Sequence, residues 1–233
     1  MAGHSKWANI RHRKGAQDKK RAKIFTKLIK EITIASRLGG GDISSNPRLR
    51  KAVSNAKSSN LPSDKIERAI KKGTGELEGV IYEEVTYEGY GPGGVAILIN
   101  IITDNKNRTV AEIRHIFSKF DGNLGENGSV SWMFDKTGQI IMESKSESED
   151  TVFEDAIDAG ADDFYAGDNF YLVSTSVDQL MVVRDRLDKG SYVIKSAEIE
   201  MVPKTNQILD DLEANKFLKL LDALEDNDDV NKV

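Results

Sequence analysis

Lys6, Arg11, Arg13, Lys14, Lys19, Lys20, Arg21 and Lys23 set eight cations against one acid, Asp18, in the 18 residues from Lys6 to Lys23. Trp7 is interleaved among them. Ammonium and guanidinium groups at that density neutralise phosphates and release counterions, and an exposed indole stacks on an unpaired base. That is the chemistry of holding a nucleic acid, not of making or breaking bonds.

The other constellations fail on context. Gly89, Gly91 and Gly94 satisfy G-x-G-x-x-G by letter. A strand-like run follows them, however, where dinucleotide binding needs a helix N-terminus aimed at the pyrophosphate. Asp104-Asn105-Lys106-Asn107 starts like a calcium loop, but Lys106 occupies a ligand position and no glycine-then-Glu spacing follows. It reads as a strand-to-helix turn whose Asx side chains cap backbone groups. His4, His12 and His115 lack ligand spacing. The carboxylates are scattered, with no pair set apart for acid–base work, and no serine sits in G-x-S-x-G. The sequence argues for a non-enzymatic protein with no cofactor, no metal and no small-molecule substrate.

Composition narrows the class further. Of 233 residues, 39% are hydrophobic and 30% charged, which suits a globular chain with a substantial core. Cysteine is absent. That removes disulfides, thiolate catalysis and Cys-ligated metals. No apolar run approaches the ~20 residues that span a bilayer, so the expectation is a cytoplasmic protein with no membrane contact.

The elements that must position the cations follow the charge. Residues 1–72 hold 19 Lys and Arg against 5 Asp and Glu, while the remaining 161 residues carry net charge −19. Such asymmetry marks the basic end as the contact for a nucleic acid. Residues 1–17 show no periodicity and read as a flexible basic arm. Residues 18–74 read as a basic three-helix bundle. Its first helix runs from about Asp18 to Leu38, with Phe25, Leu28, Ile29, Ile32 and Ala35 on one face. Its second is opened by Asn46 and Pro47, with Leu49, Ala52, Val53 and Ala56 inward. Ser63 or Asp64 caps the third, with Ile66, Ala69 and Ile70 inward. Outward lie Arg48, Arg50, Lys51, Lys57, Lys65, Arg68, Lys71 and Lys72, and all of these but Lys57 complete the candidate nucleic-acid surface. Lys72-Gly73-Thr74-Gly75 reads as a flexible break and domain boundary.

Beyond it, residues 75–135 with 204–233 read as a middle α+β domain. It holds strands at Val80–Glu88, Val95–Thr103 and Val130–Phe134, and a helix boxed by Thr109 and Glu112. A final helix from about Ile208, carrying Leu209, Leu212, Phe217, Leu220, Leu221 and Leu224, returns to cover the layer. Residues 136–203 repeat the βαββαβ order of a ferredoxin-like domain inserted into it. There Val152, Phe153, Ala156 and Ile157 point inward, and Ser176 with Gln179 boxes the second helix. The acidic segment LEDNDDVNKV reads as frayed.

The stretches GHSKWANIRHRK, GYGPGGVAILINIITDNKNRT, NLGENGSVSWMF and LEDNDDV closely resemble the YebC family, and the resemblance covers nearly the whole chain. It implies an α+β multidomain protein with a helical bundle, a middle domain and an inserted ferredoxin-like domain. It also implies a cytoplasmic regulator without catalytic residues. Members are described as transcriptional regulators, and mitochondrial relatives act as translational activators. The family's basic arm corresponds here to Lys6, Trp7, Arg11, Arg13 and Lys14.

Three readings follow. The first is a DNA-binding transcriptional regulator whose helix 64–72 enters a groove with Lys65 and Arg68. The second is a translation factor whose arm enters ribosomal or transfer RNA on the ribosome. The third is a protein scaffold using the acidic body. Binding nucleic acid to regulate gene expression is the reading adopted.

Overall fold

The computed structural model describes residues 4–143, 148–190 and 192–233, with side chains from residue 21 onward. In chain order the helices are α1 (His4–Gly39), α2 (Pro47–Ser58), α3 (Ser63–Thr74), α4 (Lys106–Lys119), α5 (Glu149–Asp158), α6 (Leu180–Lys189) and α7 (Asp211–Glu225). The strands are β1 (Glu83–Tyr90), β2 (Ala96–Thr103), β3 (Asn123–Leu124), β4 (Phe134–Glu143), β5 (Asp163–Ala166), β6 (Phe170–Thr175), β7 (Ile194–Pro203) and β8 (Val230–Lys232). The protein is mixed α+β, with seven α-helices among the described residues and two antiparallel sheets. It forms two compact units, residues 1–131 with 207–233, and residues 132–206. The helical bundle and the first sheet both fall in the first of these.

In the first unit α1 begins at His4, not at Asp18. Residues 4–17 lack an apolar stripe but contain no proline and several good helix formers (Ala8, Lys14, Ala16, Gln17). Propensity therefore carries the helix through the stretch read as a flexible arm. Asn46 does two jobs. Its Oδ1 accepts the Leu49 N–H at 3.0 Å, capping α2, and its Nδ2 donates to the carbonyls of Ala35 and Gly40, closing the end of α1. Ile32, Ala35, Leu49, Ala52, Val53, Ala56, Leu61, Ile66 and Ala69 form the bundle core. The third helix has no side-chain cap: Pro62 precedes it, and Ser63 and Asp64 lie inside its first turn.

Gly73 lies inside α3 and is not a flexible break. A Cβ there would sit 2.4 Å from the Thr33 carbonyl oxygen and 2.6 Å from Ser36 Cβ, so glycine lets α3 press against α1. Gly75, at φ +83°, ends the helix in the left-handed region. Gly73→Ala is expected to cost about 1–3 kcal/mol by forcing the two helices apart, read as a drop in the urea midpoint at unchanged slope.

The first sheet has the order β3-β1-β2-β8, all antiparallel. β2 supplies Ile97, Ile99 and Ile101 to a core completed by Ile113 and Phe117 of α4, Leu220 and Leu224 of α7, and Val230 of β8. Three expectations are corrected. Asn105 caps α4 through the Arg108 N–H, and Thr109 is buried within the helix instead of starting it. Ile208 and Leu212 are exposed, because Asp210 and Glu213 form a capping box that starts α7 at Asp211. The acidic segment is not frayed: Val230 pairs with Ile101, and Asp229 is only 4% exposed.

The second unit has the element order βαββαβ and the sheet order β5-β6-β4-β7. β4 runs unbroken from Phe134, so the strand expected at Val130–Phe134 is a 3-10 turn (Ser131–Met133) followed by the start of β4. Ile140, Met142, Val152, Ala156, Val173, Val183 and Leu187 are among its core residues. Phe153 and Ile157, expected inward, are exposed, since the α5 stripe is only Val152 and Ala156 wide. Gln179 makes no side-chain cap for α6.

Candidate nucleic-acid interface

The bundle's cations are positioned by amphipathic geometry. Burying Leu49, Ala52, Val53 and Ala56 on α2, and Ile66 and Ala69 on α3, turns the opposite faces outward. Arg50, Lys51, Lys57, Lys65, Arg68 and Lys72 are exposed there. Lys71 pairs with Glu67 one turn earlier at 2.6 Å, and that exposed bond holds Glu67 below its ordinary range.

Several sequence-picked cations already have partners. Arg48 forks onto Glu31 of α1 (2.7 and 3.1 Å) and Glu84 of β1 (2.8 and 3.0 Å). Bonding to Glu31 and then Glu84 outweighs burial and raises its pKa, so it is a charged brace between the bundle and the first sheet. Arg50 donates to the carbonyls of Ile43 and Ser44, pinning the loop before α2. Arg21 lies over the Phe25 ring at 5.2 Å. Lys23 pairs with Asp226 at 2.6 Å. Lys6, Trp7, Arg11, Arg13, Lys14, Lys19 and Lys20 fall on α1, but their side chains lie outside the described residues. The surface that remains among the described side chains is the outer face of α2 and α3.

Sequence reasoning missed a second group. Lys30 of α1 is buried and bonds the Asp229 carboxylate at 2.5 Å and the Asp228 carbonyl at 2.8 Å. Asp229 also accepts from Thr109 (2.6 Å), Arg108 (2.8 Å) and Thr103 (3.1 Å). Burial alone would raise this carboxyl, yet the bonds from Lys30, Thr109 and Arg108 pull it down to about 2. Around it opens a polar cleft of about 490 Å³ whose lining includes Lys23, Lys30, Arg108, Glu112, Asp226 and Asp229. The one sequence signal was a lysine set into the apolar stripe of α1, between Ile29 and Ile32.

A cavity of about 360 Å³ between α1, the end of α3 and residues 75–82 is lined by Thr33, Arg37, Lys72, Leu77, Ile81 and Tyr82 among others. Arg37 Nη1 donates to the Tyr82 carbonyl at 2.6 Å across it. Among the described residues no His, Cys, Asp and Glu side chains gather as a metal site, and no helix is long and apolar enough to cross a membrane.

A basic helical bundle braced by ion pairs to an antiparallel sheet, with a second α+β unit drawn from the middle of the chain, defines a two-unit α+β protein with a segregated cationic surface. The chain belongs to the TACO1/YebC family. Residues 5–76 match the TACO1/YebC protein N-terminal domain, and residues 82–233 match the TACO1/YebC second and third domain. It is 58% identical over 233 residues to a "Probable transcriptional regulatory protein" of Desulfosudis oleivorans, covering 100% of this chain and 95% of that one. It is equally similar, at 58%, to a protein of the same description from Geobacter sulfurreducens, covering 94% of that chain. The crystal structure of a conserved hypothetical protein from Aquifex aeolicus has a TM-score of 0.80 and 47% identity, covering 91% of this chain and 88% of that one.

Proposed function

We propose that the protein is a non-enzymatic, cytoplasmic regulator of gene expression that binds nucleic acid through its basic helical segment, in line with the regulatory description its relatives carry. The observation that carries this reading is the segregation of charge onto the bundle. Residues 1–72 have net charge +14, and Lys65, Arg68 and Lys72 stay exposed after Arg48 and Lys23 have found partners. A cationic helical face of this kind recognises the phosphate backbone first, and transcriptional control follows if the ligand is duplex DNA. In this reading residues 18–74 are the binding part, residues 75–135 with 204–233 the supporting layer, and residues 136–203 a ferredoxin-like insertion.

Affinity for random duplex DNA and for single-stranded RNA, measured against salt, tests the proposal. Replacing Lys65, Arg68 and Lys72 together by Gln is expected to flatten the duplex log-affinity versus log-salt slope by roughly 2–3. The same loss is expected for Arg11, Arg13 and Lys14 together. Unchanged slopes for both variants would remove the bundle from the interface. Crosslinking in cells followed by sequencing separates the templates: promoter clusters mean transcription, and ribosomal or transfer RNA means translation.

A further inference from the structure

Lys23, Lys27 and Lys30 stand at i, i+4 and i+7 on α1 and therefore on one face. Facing them is the acidic stretch Glu225–Asp229. Lys23 Nζ meets the Asp226 carboxylate at 2.6 Å and the Asp226 carbonyl at 3.0 Å, and Lys27 Nζ donates to the Glu225 carbonyl. Lys30 meets Asp229 and the Asp228 carbonyl, as described above. The stretch is itself held in shape: Asn227 donates to Glu112 of α4 at 2.9 Å and accepts the Asp229 N–H at 2.9 Å.

The contact has two tiers. The inner pair is enclosed, with side-chain exposures of 9% for Lys30 and 5% for Asp229. The outer pair is open, at 38% for Lys23 and 70% for Asp226. An open ion pair contributes little and is screened by salt, so its partners exchange readily. The inner pair holds the Glu225–Asp229 strap to α1.

We propose that Glu225–Asp228 is an internal competitor for phosphate: it occupies Lys23 and Lys27 in the free protein and yields them to the backbone of a bound nucleic acid. The inference rests on the nucleic-acid reading above and adds a brake to it. At Lys23 the exchange replaces a carboxylate–ammonium pair by a phosphate–ammonium pair, at Lys27 phosphate replaces the Glu225 carbonyl and the pull of the neighbouring acids, and no covalent bond changes. The acids set the threshold of phosphate density at which the surface engages.

The test is a triple variant, Glu225→Gln, Asp226→Asn and Asp228→Asn, which leaves the Asp229 anchor intact. Affinity for random duplex DNA and for single-stranded RNA is measured against salt. Affinity at low salt is expected to rise roughly three- to tenfold. The slope is expected to steepen by roughly 1–2, for two freed lysines. A control with the same charge change on α5 (Glu149→Gln, Asp150→Asn, Glu154→Gln), whose carboxylates bond none of these lysines among the described residues, is expected to shift affinity by less than about twofold at unchanged slope. Adding Lys23→Gln and Lys27→Gln to the strap variant should return its slope to the wild-type value.

Acetylation rates of Lys23 and Lys27, relative to exposed Lys57, report the strap without any nucleic acid: in the strap variant that of Lys23, which loses the Asp226 carboxylate, is expected to rise most, and that of Lys27, whose bond to the Glu225 carbonyl survives the substitutions, to rise less. If the lysines open but slope and affinity match the α5 control, the competitor role is overturned and nucleic-acid binding stands. If they open and neither wild type nor variant binds DNA or RNA at low salt, nucleic-acid binding itself fails, and the brake with it. Acetylation rates that do not rise overturn the strap directly.

Discussion

Asp229→Ala is expected to lower stability by about 3–5 kcal/mol, because it leaves the Lys30 ammonium enclosed without its counter-charge. For a chain of this length that is a fall in melting temperature of roughly 6–20 °C. Thr103 and Thr109 lose an acceptor in the same step. A loss below about 1 kcal/mol would mean that water reaches Lys30 and the network is not a structural anchor. Replacing both partners, Lys30→Met with Asp229→Leu, is expected to recover much of the loss, since an apolar pair needs no compensation.

Acid provides an independent check. The folded Asp229 carboxyl titrates at about 2, against an ordinary 3.8. A folded pKa below the unfolded one stabilises the protein above the unfolded value and loses that contribution as pH falls through the folded one. The contribution is roughly 2–3 kcal/mol, lost between about pH 4 and pH 2. In Asp229→Ala, stability should vary less steeply across that window. An unchanged acid limb would count against the low folded pKa.

Glu88→Ala is expected to cost about 3 kcal/mol or more, the second large effect. Glu88 is 7% exposed on β1, and its carboxylate accepts the N–H groups of Gly128 (2.7 Å), Val130 (2.8 Å) and Ser131 (2.8 Å). Burial alone would raise this carboxyl, but the three backbone donors outweigh it and hold it below the usual range. Glu88 thus organises the glycine-rich stretch before the second unit, and Tyr90 supports it by donating to the Ser129 carbonyl at 2.8 Å. Glu88→Gln keeps one acceptor oxygen but turns an NH₂ toward a backbone donor, so about half the loss should remain. Denaturation in urea reads both variants. A cost under about 1 kcal/mol for Glu88→Ala would show that the loop satisfies its own donors.

These two carboxylates also mark where the sequence stops being legible. Asn46-Pro47 with Leu49, Ala52, Val53 and Ala56 revealed α2 because cap, proline and stripe all act within one or two turns. The βαββαβ order was readable for the same reason: each element carries its own periodicity. Asp229 and Glu88 act through Lys30 and through Val130, 199 and 42 residues away, and no local pattern registers such partners. Lys23 and Arg48 likewise have partners outside their own helices, Asp226 203 residues away and Glu31 and Glu84 17 and 36 residues away, which no local pattern registers. Helix starts failed differently: Asn105 displaced the Thr109–Glu112 box because its side chain reaches the Arg108 N–H as the chain leaves β2. The outer faces of α2 and α3 were legible, since amphipathic spacing alone decides what points outward.

The interleaved chain path bears on how the molecule is made. Val230 pairs with Ile101, and Leu220 and Leu224 close the core over Ile97 and Ile99, so the first unit cannot finish until residues 220–230 have been made. At about 5–20 residues per second, the hundred or so residues after Ser131 take roughly 5–20 s to synthesise. During that interval the contiguous second unit can complete its own sheet, while β2 waits with an open edge and an uncovered apolar face. The nascent chain is then most exposed to chaperone capture or mispairing, and arrival of the acidic strap ends that exposure.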